Sequence, residues 1–138
     1  MERMIRTVFA LPTEFDLLIV DDGSPDGTAD IVKSLISEFP GRLHIEERTG
    51  KLGLGTAYIH GFKWGLKRAF EYFFEMDCDF SHPPDDLLKL YIAVKDGGAD
   101  VAIGSRYVKG GKVENWPIGR ILMSYFASVY VRMVLWMN

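Results

Sequence analysis

Cysteine is nearly absent. Cys78 alone stands among 138 residues, which excludes an internal disulfide and suits a reducing compartment. Charge of one sign is lacking too. The formal net charge is −3, so no general positive field is available for nucleic acid, and an anionic ligand has to be held by local groups. No internal repeat, low-complexity tract or linker interrupts the chain. Its first residues lack the charged, apolar and small-residue sequence of a secretory leader, so none is expected, and Met1 runs directly into a helix-like pattern. Long unbroken apolar runs are also missing. The longest, Ile121 to Met137, is interrupted by Arg132 and carries Ser124, Tyr125, Ser128 and Tyr130. That stretch is too polar and too short for a clear membrane span. It reads as a helix whose packing partner lies elsewhere in a longer chain, or as an interfacial segment with a thin basic face.

What is present describes a globular domain. Apolar residues make up 48% and charged residues 25%, and the length suffices for one core. Residues 2–11 carry Met4, Ile5, Val8 and Phe9 at helical spacing and stop at Pro12. Asp16 to Val20 reads as a buried strand ending in two aspartates. A loop with Gly23, Pro25 and Gly27 leads to a helix from Thr28, with Ile31, Val32, Leu35, Ile36 and Phe39 on one face, closed by Pro40-Gly41. Leu43 to Glu47 reads as a second strand. A glycine-bearing loop then opens a helix striped by Tyr58, Phe62, Leu66 and Ala69, with Gly61 and Gly65 spaced for close approach to a neighbour. Tyr72 to Met76 is expected to be a third strand and Asp100 to Gly104 a fourth, with a helix opened by Pro83-Pro84 between them. Strands alternating with helices imply βαβ units and a parallel sheet. Polar residues gather where the strands end, which is where open α/β sheets hold ligands.

Asp77-Cys78-Asp79 follows the third of these apolar runs. Two carboxylates one residue apart offer hard oxygen ligands of the kind Mg²⁺ or Mn²⁺ takes, alongside waters and phosphate oxygens, and Ser81 and His82 stand close enough to add a ligand. An Asp-x-Asp pair alone also occurs in solvated turns. Asp21 and Asp22 close the first strand, and Asp26 follows within the same loop. Carboxylates there can accept hydrogen bonds from a ribose or a base edge, or can serve an ordinary capped βα loop. Three on one sheet edge repel unless a cation or hydrogen-bond donors compensate. Gly50 to Thr56 is not a P-loop, because no Gly-Lys-[Ser/Thr] falls at the required spacing. It is either a flexible loop whose Lys51 faces a nucleotide or a capping turn. Arg106 follows the fourth run. Beyond Trp116-Pro117, Arg120 and Ser124 are four residues apart and share a helical face. Two arginines and a hydroxyl suit a phosphate, while each arginine singly suits a surface ion pair.

These stretches taken together resemble glycosyltransferase family 2: VDDGSPDGT (20–28), GKLGLGTAYIHG (50–61), MDCDFSHPPDD (76–86), GSRYVKGG (104–111), then Trp116-Pro117, Arg120 and Ser124. Among its subgroups they are most similar to the polyprenol-phosphate (dolichol-phosphate) mannosyltransferases. The resemblance implies a single GT-A nucleotide-sugar-binding domain over residues 1–138, a Rossmann-like, mostly parallel sheet with helices on both faces. It implies mannose transfer from GDP-mannose to a polyprenyl phosphate, with inversion and a divalent metal, Mg²⁺ or Mn²⁺. Asp21, Asp22, Lys51 and Asp77 would hold the nucleotide sugar. Asp77, Asp79 and Ser81 would hold the metal, Ser81 standing where the family often has a glutamine. Arg106, Arg120 and Ser124 would hold the acceptor phosphate, and Asp79 and Arg106 would be catalytic. The expected location is cytoplasmic, at or anchored to a membrane surface. The family also carries an earlier strand ending in a Pro-x-Tyr-Asn-Glu-like segment and continues past residue 138. The chain therefore reads as a piece of such an enzyme, with unpaired strand edges that favour self-association. Two alternatives stand beside this reading: another family 2 transferase, using UDP-glucose for example, and a non-catalytic nucleotide-binding α/β module.

Overall fold

A computed structural model describes residues 1–105 and 117–136. It divides into two compact units, Met1–Ala102 and Ile103–Asn138.

In the first unit, helix α1 (Glu2–Phe9) is followed by strand β1 (Leu17–Asp21), helix α2 (Thr28–Leu35) and strand β2 (Leu43–Glu47). The two strands pair in parallel, with Leu17 opposite Leu43 and Asp21 opposite Glu47. A parallel pair needs a crossover, and α2 provides it. Helices α3 (Leu54–Leu66) and α4 (Asp86–Lys95) complete the unit.

The strand period of two assigns the faces. Ile19 and Leu43 join Ile5 of α1 and Val32 and Leu35 of α2 in one buried cluster. Residues of the other parity meet α3: Leu18 lies 3.9 Å from where a Cβ on Gly61 would stand, and the His44 and Trp64 rings are 4.7 Å apart. Helices therefore cover both faces of the sheet. Helix α1 serves two clusters, because Met4 and Val8 turn toward Leu87 of α4 while Ile5 faces the sheet. Its ends are tied by Arg6, which bonds Glu2 one turn back and both carboxylate oxygens of Glu38.

The parallel α/β organisation is as expected, but the sheet has two strands among the described residues, not four. Residues 72–77 and 101–105 have no regular secondary structure. Segment 72–77 is nevertheless laid out like a strand. Phe73 meets Phe62 and Gly65 of α3, whereas Phe74 meets Phe15 and Tyr91, and Met76 packs on the α1–α4 cluster. The side-chain alternation is present and the ladder is missing, because among the described residues no neighbouring backbone bonds to it. The expected stripes also shift. Ile31 and Leu66 are exposed, while Trp64, outside the expected stripe, is buried.

The second unit is dominated by helix α5 (Ile118–Leu135), opened by Pro117 and closed by Trp136 in the left-handed region. None of its residues is buried, and Leu122, Met123, Phe126, Tyr130 and Met133 are exposed. An 18-residue window has a mean hydropathy of 1.3, so length and composition admit a membrane span where the sequence reading had found the stretch too polar and short.

Candidate functional site

The loop after β1 is organised by its first aspartate. A positive φ of 78° at Gly23 turns the chain back, so that the Gly23 and Ser24 N–H groups donate to Oδ2 of Asp21 at 3.0 and 3.1 Å. Asp21 is itself buried. The Ser24 hydroxyl, helped by these two amides, holds the Asp21 carboxyl below its ordinary range. Asp26 accepts the Thr28 N–H at 3.1 Å and so shapes the entry to α2.

Asp22 is committed differently. Its two oxygens take a fork from Arg48, with Nε at 2.5 Å and Nη2 at 2.6 Å. The third guanidinium nitrogen, Nη1, reaches the Thr56 hydroxyl at 2.8 Å in the first turn of α3. Arg48 is almost buried at 7% side-chain exposure and links the loop after β1, the loop after β2 and the first turn of α3. It holds the Asp22 carboxyl below its ordinary range. Sequence reading missed this residue. Register was the signal: Asp21 pairs with Glu47, so the next residue on each strand, Asp22 and Arg48, come together at one sheet edge. The three acidic side chains of this loop are thus each compensated by the protein's own donors. Charge balance in this loop therefore requires no cation.

The Asp77–Asp79 turn is more open. Phe80 takes a φ of 62°, unusual for an aromatic residue, and Ser81 returns to donate its N–H to Oδ1 of Asp79 at 2.8 Å. The Ser81 hydroxyl, then that amide, keeps Asp79 ionised to lower pH than usual. His82 Nδ1 faces Asp77, 4.0 Å from its Oδ2. Among the described residues no group of three His, Cys, Asp or Glu side chains could enclose a metal. Two exposed carboxylates with hard oxygens fit a cation that keeps waters and shares phosphate oxygens, and do not fit a closed all-protein cage. Ser81 acts here as a donor to Asp79.

One cavity of about 740 Å³ collects much of this chemistry. Asp21, Ser24 and Thr28 line it from the loop after β1, and Met76, Asp77 and Cys78 from the end of segment 72–77. Tyr58 of α3 lies in the same wall. Partial burial, then the charges of Asp77 and Glu75, raise its phenol above the usual value. Asp21 and Asp77 therefore share a cavity, while Asp22, Lys51, Asp79 and Ser81 are outside its wall. Lys51 is exposed, and its charge acts on Asp22. Arg120 and Ser124 are on α5, the first exposed and the second half-buried. Arg106 lies outside the described residues.

The family model for glycosyl transferase family 2 matches residues 1–133. A polyprenol monophosphomannose synthase of Mycolicibacterium smegmatis is 52% identical over 119 residues, covering 86% of this chain and 44% of the relative. An undecaprenyl-phosphate mannosyltransferase of Micrococcus luteus is 49% identical, covering 91% and 50%. A dolichol-phosphate mannosyltransferase of Pyrococcus furiosus is 45% identical, covering 88% and 33%. The chain thus spans half the length or less of these curated relatives. No solved structure matches it.

Proposed function

Because the chain belongs to glycosyl transferase family 2, we propose that it is the donor-binding part of an enzyme that moves mannose from GDP-mannose to a polyprenyl phosphate. The observation that supports this most is that Asp21, at the end of β1, and Asp77, at the end of the extended segment 72–77, line one cavity together with Tyr58. The three relatives named for mannosyl transfer, two of them on undecaprenyl or dolichol phosphate, support the choice of sugar and acceptor class.

In this reading Asp21, Asp22, Lys51 and Asp77 orient the nucleotide sugar, with Arg48 fixing Asp22. Asp77 and Asp79, with Ser81 holding Asp79, would bind Mg²⁺ or Mn²⁺, which when present neutralises charge on the diphosphate leaving group. Arg106, Arg120 and Ser124 take the acceptor phosphate, whose planar guanidinium partners match its oxygens. Asp79 and Arg106 carry the catalytic roles. An ionised phosphate oxygen is already a nucleophile, so it attacks the anomeric carbon without a protein base while the nucleoside diphosphate departs from the opposite face, and configuration inverts. Positioning and charge neutralisation supply the acceleration. The location we propose for the full protein is cytoplasmic, at or anchored to a membrane surface; a lipid acceptor and the exposed apolar surface of α5 support the membrane part of that reading. We assign residues 1–138 to one GT-A domain, and the edge of β1, unpaired among the described residues, supports association between copies.

Titrating GDP with and without Mn²⁺ tests the reading. Mn²⁺ is expected to tighten GDP binding, and Asp79→Ala to abolish that gain. GDP binding that ignores both the metal and the substitution would favour the non-catalytic nucleotide-binding module.

A further inference from the structure

The Asp77–Asp79 turn is bracketed by two side chains that α1 holds. Met76, just before it, packs on the cluster of Met4, Val8 and Leu87. Phe80, just after it, faces the guanidinium of Arg3, whose Cζ is 4.9 Å from the ring centroid. That distance suits a cation on an aromatic face. Arg6, one turn further along α1, is taken up by Glu2 and Glu38, whereas among the described residues Arg3 has no ion pair. Phe80 needs such a holder. Its φ of 62° puts a bulky side chain in the left-handed region, which residues other than glycine, asparagine and aspartate rarely enter. Such a conformation persists only where the surroundings enforce it. Its consequence is visible: the chain reverses at Phe80 and brings the Ser81 N–H back to Oδ1 of Asp79 at 2.8 Å.

We propose that Arg3 is a positioning residue for this turn. Its guanidinium holds the Phe80 ring, the ring holds the left-handed backbone, and that backbone keeps the Ser81 amide on Asp79. The proposal rests on the reading of the turn as the place of the divalent cation. A carboxylate already held in one orientation loses less freedom when a cation arrives, so the lock strengthens metal binding without touching the metal. Arg3 stands in the first turn of a helix whose Met4, Ile5 and Val8 are fixed in two buried clusters. Its backbone is therefore anchored, while its exposed side chain can be replaced without disturbing the core.

The test reads the backbone and the metal separately. Arg3→Gln removes the charge and keeps helix propensity, and Arg3→Lys keeps the charge. Without metal or nucleotide, hydrogen exchange at the Ser81 amide is expected to quicken about two- to fivefold in Arg3→Gln, the factor an exposed cation–π contact is worth, and to recover in Arg3→Lys. In a Phe80→Gly background no ring is left to hold and glycine accepts the left-handed region, so Arg3→Gln should change nothing there. The gain in GDP affinity that Mn²⁺ gives should fall by the same factor in Arg3→Gln, with metal-free GDP affinity unchanged. Unchanged Ser81 exchange in Arg3→Gln, or equal quickening with and without the Phe80 ring, would overturn the lock. Loss of metal-free GDP affinity would make Arg3 a nucleotide ligand and overturn the positioning role. A parent chain with no Mn²⁺ gain would bring down the cation reading and this role with it. A parental gain that Arg3→Gln leaves intact would overturn the role of Arg3 alone.

Discussion

At the scale of single residues, the loop after β1 is held by carboxylates that work only while ionised. Asp21 satisfies two backbone amides from a buried position, so Asp21→Ala strands the Gly23 and Ser24 N–H groups. A loss of about 1–3 kcal/mol is expected in urea unfolding. Asp22 and Arg48 hold each other in a fork, and Arg48→Met should lower the urea midpoint at pH 7 by leaving a carboxylate unpaired. The sign with pH follows from the depressed carboxyls. Their contribution is complete above the unfolded value, about 3.9, and is lost as pH falls through the lower folded values. Stability of the parent chain should therefore decline below about pH 4, and Arg48→Met should flatten that decline. An unchanged midpoint at pH 7 would remove Arg48 from its linking role. Asp21, Asp22, Asp77 and Asp79 were visible in the sequence because carboxylates that end apolar runs are conspicuous. Arg48 was not, since its partner is 26 residues away and only the strand register brings them together.

At the scale of elements, periodicity revealed what each segment does with its own side chains and not what its backbone finds. Both paired strands and all five helices among the described residues were readable from apolar spacing and glycine or proline punctuation. Segment 72–77 has the period of a strand, but a strand also needs a neighbour, and no local signal reports one. The glycine spacing in α3 was more informative. A Cβ on Gly65 would stand 2.3 Å from Cε1 of Phe73, so the helix and the extended segment touch only because that residue has no side chain. Gly65→Ala should cost about 1–3 kcal/mol through overpacking. Adding Phe73→Leu should recover part of that loss, since residues in contact are not additive. Strict additivity of the pair in chemical denaturation would mean that α3 and 72–77 are not in contact.

At the scale of the whole molecule, surface that nothing covers dominates. Helix α5 is roughly 27 Å long, close to the ~30 Å hydrocarbon thickness of a bilayer. It exposes large apolar side chains along its length and carries only Arg120 and Arg132 as charges. The first unit adds the edge of β1, which is unpaired among the described residues. Both surfaces favour association, by different physics: a strand edge needs complementary backbone, whereas an apolar helix accepts any apolar partner. Light scattering should therefore give a mass above the 15.6 kDa of one chain, rising with concentration. Replacing Met123, Phe126 and Tyr130 together by aspartate should lower the mass if α5 drives association, and leave it unchanged if the strand edge does. A 15.6 kDa species at every concentration would show that neither surface pairs copies of this chain, leaving a lipid bilayer as the expected partner of α5.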